Sequence, residues 1–250
     1  MASTESAGAG SRLPTVQLWT PPRLDDAACQ RVGDVIATLR GRLRATRGAG
    51  PTQQALPKIG VLLRLPGAAD AQLVDRARWL AAMVGEAGAD DALAWGLRLD
   101  GVVDGPRLEA FGELFDQCGW LHLAGTASSC SEVRFACQVA TWRVGPPPLS
   151  RAVHDEAGVR AALADGADAM TLSPILSTPS KPDVTPLGWA TLARCAALAP
   201  GRVWALGGLR PHDLGRAQAM GSAGLALLGA AWSAEAMAWS NLPPDTAASP

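Results

Sequence analysis

Eight alternations between a short apolar run and a longer stretch of helical length constrain the fold of this chain more than any other feature. The predicted strands cover residues 15–19, 59–65, 94–99, 120–123, 149–153, 169–172, 202–206 and 224–228. The predicted helices cover residues 25–44, 70–87, 105–117, 131–144, 155–165, 186–198, 211–220 and 230–239. Strands that alternate with helices predict a parallel sheet. Because the first strand is not followed by a glycine-rich dinucleotide fingerprint, eight such units favour a closed (β/α)8 TIM barrel, of the α/β class, over an open doubly wound sheet.

The length of 250 residues suits a single barrel of this kind. We expect one domain over residues 14–240, with disordered tails at residues 1–13 and 241–250, where small and polar residues dominate. Between residues 47 and 57 the composition shifts to Gly, Pro, Thr and Gln, which is typical of a loop within the domain.

Charge and composition exclude several classes of partner. The formal net charge is −1, from 22 basic and 23 acidic side chains, so no general field attracts nucleic acid or an anionic membrane. No apolar run approaches the ~20 residues of a membrane span, and the first residues lack a secretory signal. The 5 cysteines have no CxxC spacing, which favours reduced thiols in a cytoplasmic protein and no bound zinc. Nucleic acid and membranes are therefore not expected as partners, and a homo-oligomer is compatible with the sequence. A small phosphorylated molecule is the partner that the strand-end loops indicate.

In a (β/α)8 barrel the site lies where the strands end at their carboxyl side. The loop after the sixth predicted strand is the richest such segment, because it holds a lysine and several hydroxyls, stiffened by prolines: Ser173, Ser177, Thr178, Ser180 and Lys181. Hydroxyl donors and one ammonium suit a phosphate or diphosphate. The same composition also fits a surface loop without a role in binding.

Glycines end the seventh and eighth predicted strands. Gly207 and Gly208 allow a close approach to the backbone, and the turn at Leu228 and Gly229 leads into the last helix. Loops at these two positions often bind phosphate in such barrels. A tight turn that needs positive φ is an equally simple explanation of the paired glycines.

Two of the 3 histidines lie in or directly after a predicted strand. His154 follows the fifth strand and is a candidate general acid or base, although it could instead cap the next helix. His122 lies within the fourth strand and faces away from its two neighbours, either into the lumen or toward the helices. Arg64 and Asp100 complete the set of charged residues at strand ends.

Several motifs in the second half resemble the thiamine phosphate synthase/TenI superfamily. They are, in order, GWLHL at 119–123, Val153-His154, GADAMTLSPI at 166–175, TPSK at 178–181, PLGW at 186–189 and ALGGL at 205–209. The resemblance is specific from about residue 119 to 232, and loose in the first half, through Arg64 and residues 97–100.

The resemblance implies a (β/α)8 barrel and one of two reactions. Thiamine phosphate synthase joins a pyrimidine diphosphate to a thiazole phosphate with Mg²⁺, whereas TenI-type members isomerise a thiazole phosphate carboxylate with a histidine as proton shuttle. Thr178, Ser180 and Lys181, with Ser173 nearby, would then hold diphosphate or adjacent substrate. Gly207 and Gly208, with Leu228 and Gly229, would hold the thiazole phosphate. Arg64 matches a family arginine and would hold a carboxylate or phosphate of the substrate through both arms of its guanidinium, and His154 matches the shuttle.

The chain departs from the synthase pattern at three positions. Pro66 replaces a lysine, Leu99 replaces an asparagine, and residues 124–127 read AGTA where the synthase carries a second acidic magnesium ligand. Asp100 alone makes a poor magnesium site. We therefore expect a metal-independent thiazole tautomerase with no cofactor. Two alternatives stay open: a Mg²⁺-dependent synthase, and a divergent phosphate-binding barrel without catalysis.

Overall fold

The computed structural model describes residues 13–47, 57–85, 93–125, 127–139 and 147–232. Eight parallel strands pair in chain order and close into a barrel through β8 and β1. The strands are β1 (Val16–Trp19), β2 (Ile59–Leu63), β3 (Leu93–Leu99), β4 (Trp120–Leu123), β5 (Leu149–Val153), β6 (Ala169–Leu172), β7 (Val203–Leu206) and β8 (Gly224–Leu227). The predicted TIM barrel is confirmed, and strand limits differ from prediction by at most two residues.

The described α-helices lie outside the sheet and follow β1 to β7, with two of them after β3. They are α1 (Asp26–Arg47), α2 (Asp70–Val84), α3 (Gly105–Phe111), α4 (Leu114–Gln117), α5 (Cys130–Val139), α6 (Glu156–Ala164), α7 (Gly188–Leu198) and α8 (Leu214–Ala219). Short 3-10 turns cover Pro211–Asp213 and Ala230–Trp232. None of the described helices is long and apolar enough to span a membrane.

Three predicted helices differ from the structure. The helix predicted at 105–117 is split in two by Gly112, which has φ +48°. The helix predicted at 211–220 begins as the 3-10 turn after Arg210. The last predicted helix is a 3-10 turn as far as residue 232. Beyond that residue it lies outside the described residues, as do the predicted ends of the helices at 70–87 and 131–144, nearly all of the loop at 47–57, and both predicted tails except Leu13.

Aspartates at the helix starts fix where several chain segments leave the barrel mouth. Asp25 accepts from the backbone N–H of Ala28 over 2.8 Å, Asp104 from that of Arg107 over 3.0 Å and Asp155 from that of Gly158 over 2.6 Å. Each carboxylate satisfies a backbone donor that the first helical turn leaves open. The loops after β1, β3 and β5 are thereby tied to the helices that follow.

Strand residues alternate between two apolar cores. One set, such as Val61 and Leu63 in β2, packs outward against the helices, and the alternate set faces the lumen. The lumen contains Trp19, Trp120 and Trp204, all at most 5% exposed. Because these indoles fill the lumen between the strands, the barrel is a packed core rather than a pore.

Two glycines make room for the largest of these side chains. A Cβ at Gly96 would lie 2.4 Å from the Trp120 ring, and one at Gly60 would lie 2.6 Å from it. Trp204 is held at the amino-terminal side of the barrel, where its Nε1 donates to the Pro14 carbonyl over 2.9 Å. The amino-terminal side of the lumen is therefore occupied, and a ligand has space only at the carboxyl ends of the strands.

Candidate functional site

His154 stands at the mouth of the barrel, directly after β5. Its predecessor Val153 is buried toward the helices, so the alternation turns His154 to the lumen side. Its Nδ1 lies 2.6 Å from the Ser173 carbonyl oxygen. A carbonyl only accepts, so the imidazole donates from Nδ1, and in the neutral ring Nε2 carries the lone pair. Asp155, not His154, caps the next helix.

His154, Ser173 and Lys181 line one cavity of about 220 Å³. Its remaining wall is formed by Pro174, Val184, Thr185 and Leu187. Three residues that the sequence predicted separately, from two different strand ends, therefore share one small space. The space combines a potential base, a hydroxyl and a cation.

The loop from Ser173 to Leu187 is closed by hydrogen bonds within its own backbone. The Leu187 N–H donates to the Pro174 carbonyl over 2.9 Å, and the Lys181 N–H donates to the Thr178 carbonyl over 3.0 Å. The hydroxyls of Thr178 and Ser180 lie 3.1 Å apart, just outside the residues that line the cavity. The Ser173–Pro174 peptide is cis. The turn presents two hydroxyls and the Lys181 ammonium on one short segment.

Gly207 and Gly208 allow two loops to approach each other closely. Both have positive φ, at +99° and +71°. A Cβ at Gly207 would lie 2.8 Å from Pro174 Cα, and a Cβ at Gly208 would lie 2.4 Å from the Ser177 carbonyl oxygen. The loop after β7 thus packs on the loop after β6. The tight-turn reason for the glycines applies, and phosphate binding by their backbone stays a prediction.

The turn after β8 is more open. A Cβ at Gly229 would meet nothing within 4 Å. Leu228 is half-buried beside the lumen core, and Gly229 is exposed. The turn is therefore open to solvent, and phosphate binding at Leu228 and Gly229 stays a prediction.

A polar layer crosses the lumen above the tryptophans. Strand pairing places Arg98 beside His122, and His122 beside Ser150. Arg64 lies one residue beyond the Leu63–Leu97 pair and therefore beside Arg98. We call this set the lumen layer. It consists of four residues in or directly after β2 to β5: Arg64, Arg98, His122 and Ser150.

His122 belongs to this layer and does not reach the helices. It is 1% exposed, its Nδ1 lies 2.9 Å from the Ser150 hydroxyl, and its ring centroid lies 4.7 Å from that of Trp19. Burial lowers its pKa from 6.5 to about 3, with further lowering by the positive charges of Arg98, Arg151 and Arg64. His122 is therefore neutral near pH 7 and hydrogen-bonded inside the lumen, and its part in the site stays a prediction.

Asp100 is engaged by an arginine that the sequence analysis missed. Arg98 donates to the Asp100 carboxylate over 2.6 Å. Arg107 donates to the carbonyls of Asp100 and Val102 and pairs with Asp70, so the loop after β3 is fixed from behind. The signal for Arg98 was present: it precedes Asp100 by two positions in a strand and so shares its inward face.

Magnesium, which the synthase reaction would require, does not fit the donors present. Within the described ranges no group of three His, Cys, Asp or Glu side chains lies together. The carboxylate that follows β3, Asp100, is already paired with Arg98. A cation beside this guanidinium would be repelled, so the donors described here do not favour Mg²⁺.

The five cysteines are free thiols, and four of them are buried. Burial raises the pKa of Cys118 and Cys130 to about 12. These thiols stay protonated and pack as small apolar side chains.

Fold and mouth together define a (β/α)8 barrel whose candidate site is formed at the carboxyl ends of β2 to β8. Comparison with known proteins shows which family this barrel is similar to. The model of the thiamine monophosphate synthase family matches residues 121–231. A curated protein of Geobacter sulfurreducens named "Putative thiamine-phosphate synthase" is 40% identical over 78 residues, which is 31% of this chain and 37% of that protein. The second half of the barrel is therefore similar to the thiamine monophosphate synthase family, and the chain spans about a third of the length of the curated relative that it matches.

Solved structures agree on the fold. Thiamine phosphate pyrophosphorylase from Pyrococcus furiosus superposes with a TM-score of 0.60 at 15% identity, over 91% of each chain. FabK from Thermotoga maritima superposes with a TM-score of 0.54 at 10% identity, over 87% of this chain and 59% of that one. At such identities the likeness concerns the barrel alone.

Proposed function

We propose that this chain binds a phosphorylated thiazole-type heterocycle at the barrel mouth and isomerises it, with His154 as the proton shuttle. The observation that carries the proposal is the 2.6 Å contact between His154 Nδ1 and the Ser173 carbonyl. That bond orients the imidazole and leaves Nε2 as the basic nitrogen.

The chemistry required is modest. Nε2 of His154 takes a proton from one carbon of the heterocycle, and the imidazolium returns it to another. The double bonds shift as the proton moves, so atoms and electrons balance without a metal or redox cofactor. An imidazole is well suited to such transfer near neutral pH.

Substrate anchoring falls to the rest of the cavity. Lys181 supplies a positive charge and Ser173 a hydroxyl in the same space as His154. Charge-assisted hydrogen bonds to a phosphate are stronger than neutral ones. A volume of about 220 Å³ suits a small molecule rather than a polymer.

Thiamine phosphate synthase is the second candidate, because it is the activity named by the matching family and the curated relative. Its Mg²⁺ would need carboxylates that the described mouth does not offer, since Asp100 is paired with Arg98. The isomerase proposal is preferred for this reason. A barrel that binds the phosphate without catalysis is the third outcome.

The test is an isomerase assay in which NMR monitors the conversion of a thiazole phosphate carboxylate in the presence of EDTA. We expect turnover by the wild type, and a loss of roughly 10²–10⁴-fold in His154→Ala. His212→Ala is the matched control, because His212 is exposed and does not line the cavity.

Equal rates in His154→Ala and the wild type would overturn the assignment of the shuttle. Condensation of the pyrimidine diphosphate with the thiazole phosphate, dependent on Mg²⁺, would establish the synthase instead. Binding of the thiazole phosphate without either reaction would leave a non-catalytic barrel.

A further inference from the structure

The lumen layer carries an excess of positive charge in a mostly buried space. Arg64 and Arg98 contribute two guanidiniums, and Asp100 contributes the balancing carboxylate on one side. His122 adds no negative charge. Neighbouring strands hold the two arginines side by side, because Arg64 follows the Leu63–Leu97 pair. One positive charge in this layer therefore lacks a counter-charge among these residues.

Both arginines also have unmet donors. The NH1 atoms of Arg64 and Arg98 are buried and have no hydrogen-bond partner within the described part of the chain. Leaving such donors unpaired has a free-energy cost, because they have lost their bonds to water. A ligand that supplies acceptors would remove this cost.

The pKa of Arg64 reflects the closeness of the two positive charges. Burial lowers the pKa of Arg64, the positive charge of Arg98 lowers it further, and Asp100 partly offsets the two. The guanidinium remains protonated at neutral pH, since an arginine titrates far above it. The two charges are thus forced together, as in sites that are built to receive an anion.

We infer that Arg64 and Arg98 form an anion subsite that holds a second anionic group of the ligand, a carboxylate or a phosphate, without a metal ion. The inference rests on the proposed function for the position of the ligand at the mouth. Arg98 supplies the positive charge that a metal would bring, and by pairing with Asp100 it removes the carboxylate that a metal would need.

Guanidinium geometry supports this role. Each guanidinium is a planar fork that matches two oxygens of a carboxylate or phosphate. Arg107 anchors the backbone at Asp100 and Val102, so the Arg98–Asp100 pair sits on a fixed loop. The subsite would accept an oxyanion while the cavity of His154 and Lys181 holds the rest of the ligand.

The experiment measures binding of inorganic phosphate by ³¹P NMR and of acetate by ¹³C NMR, in EDTA, to the full-length chain. A Lys181→Ala background removes the other cationic anchor. We expect binding of at least one anion in that background, and a loss of about 10-fold or more when Arg98→Met is added. Arg134→Met is the matched control, because Arg134 pairs with Asp168 away from the lumen layer.

Arg98→Lys keeps the positive charge but lacks the planar guanidinium, so it separates the effect of geometry from that of charge. It also serves as a second variant in case Arg98→Met does not fold. We expect it to retain part of the affinity, with a wild-type circular dichroism spectrum. A preference for acetate or for phosphate identifies which group the subsite takes.

The inference is overturned if neither anion binds the Lys181→Ala chain, if binding there needs Mg²⁺, or if Arg98→Met binds as well as its parent. Those results would leave the isomerase assay unaffected. Conversely, anion binding that depends on Arg98 in a chain without isomerase activity would support the subsite and reject the proposed function.

Discussion

The imidazole of His154 donates from Nδ1 to the carbonyl oxygen of Ser173 over 2.6 Å, and this bond joins the end of β5 to the loop after β6. It fixes the ring within the cavity that Lys181 also lines. Two strand ends are thereby combined at one cavity.

This bond predicts the tautomer of the neutral ring. We expect ¹⁵N NMR of the wild type above neutral pH to show His154 protonated at Nδ1 and unprotonated at Nε2, because the Ser173 carbonyl accepts only from a donor. The assignment comes from the signals that disappear in His154→Ala. A His154 ring protonated at Nε2 would contradict the structure.

The phosphate anchor is tested by the two lysines of the chain, which lie at opposite ends of the barrel. Lys181 lines the cavity, whereas Lys58 is exposed just before β2. We expect Lys181→Ala to weaken binding of thiazole phosphate by about 10- to 100-fold, the value of a charged hydrogen bond, without loss of stability. Calorimetric titration measures it.

Lys58→Ala carries the same loss of charge and should bind like the wild type. Equal affinities in Lys181→Ala, Lys58→Ala and the wild type would show that the phosphate is held elsewhere.

Gly208 is predicted to be intolerant of a side chain. Its φ is +71°, and a Cβ would lie 2.4 Å from the Ser177 carbonyl oxygen. We expect Gly208→Ala to lower the free energy of unfolding by about 1–3 kcal/mol, from the clash and the strained φ together. Denaturant unfolding measures the change.

Gly229→Ala is the matched comparison, because its Cβ would meet nothing within 4 Å and its φ is not positive. It should stay within about 0.5 kcal/mol of the wild type. A similar loss in both variants would mean that the close approach of the two loops is not the cause.

The barrel and the residues that line the His154 cavity were predictable, because both follow from local sequence patterns. Strand alternation set which side chains face inward, and the rule that barrel sites lie at strand ends brought His154, Ser173 and Lys181 into one candidate list. Their common cavity is what the structure adds.

Pairing across strands was not predictable in the same way. The orientation of His122 was open, since alternation alone gives two faces and no assignment of which is the lumen. Arg98 was missed because its effect depends on its partner Asp100 and on its neighbour Arg64, one strand away. The close packing of Gly207 and Gly208 on the loop after β6 also needed the structure, and phosphate binding by their backbone stays a prediction.

The buried His122 predicts how stability depends on pH. Burial, with the charges of Arg98, Arg151 and Arg64, lowers its pKa from 6.5 to about 3 in the folded chain. Between these two values the unfolded chain binds a proton that the folded chain does not bind. The free energy of unfolding therefore decreases as the pH falls below about 6.5, by up to about 1.4 kcal/mol per pH unit, and is unaffected by this group above that pH.

Urea unfolding at pH 7, 6, 5 and 4 measures this dependence in the wild type and in His122→Gln. The glutamine is neutral throughout and retains a polar group beside Ser150, so we expect its stability to fall less steeply below pH 6. Carboxylates contribute equally to both chains and cancel in the comparison. His212→Gln, at an exposed position, should keep the wild-type slope. Parallel slopes for the wild type and His122→Gln would show that His122 is protonated as readily in the folded chain as in the unfolded one, in conflict with its place beside two guanidiniums in the lumen layer.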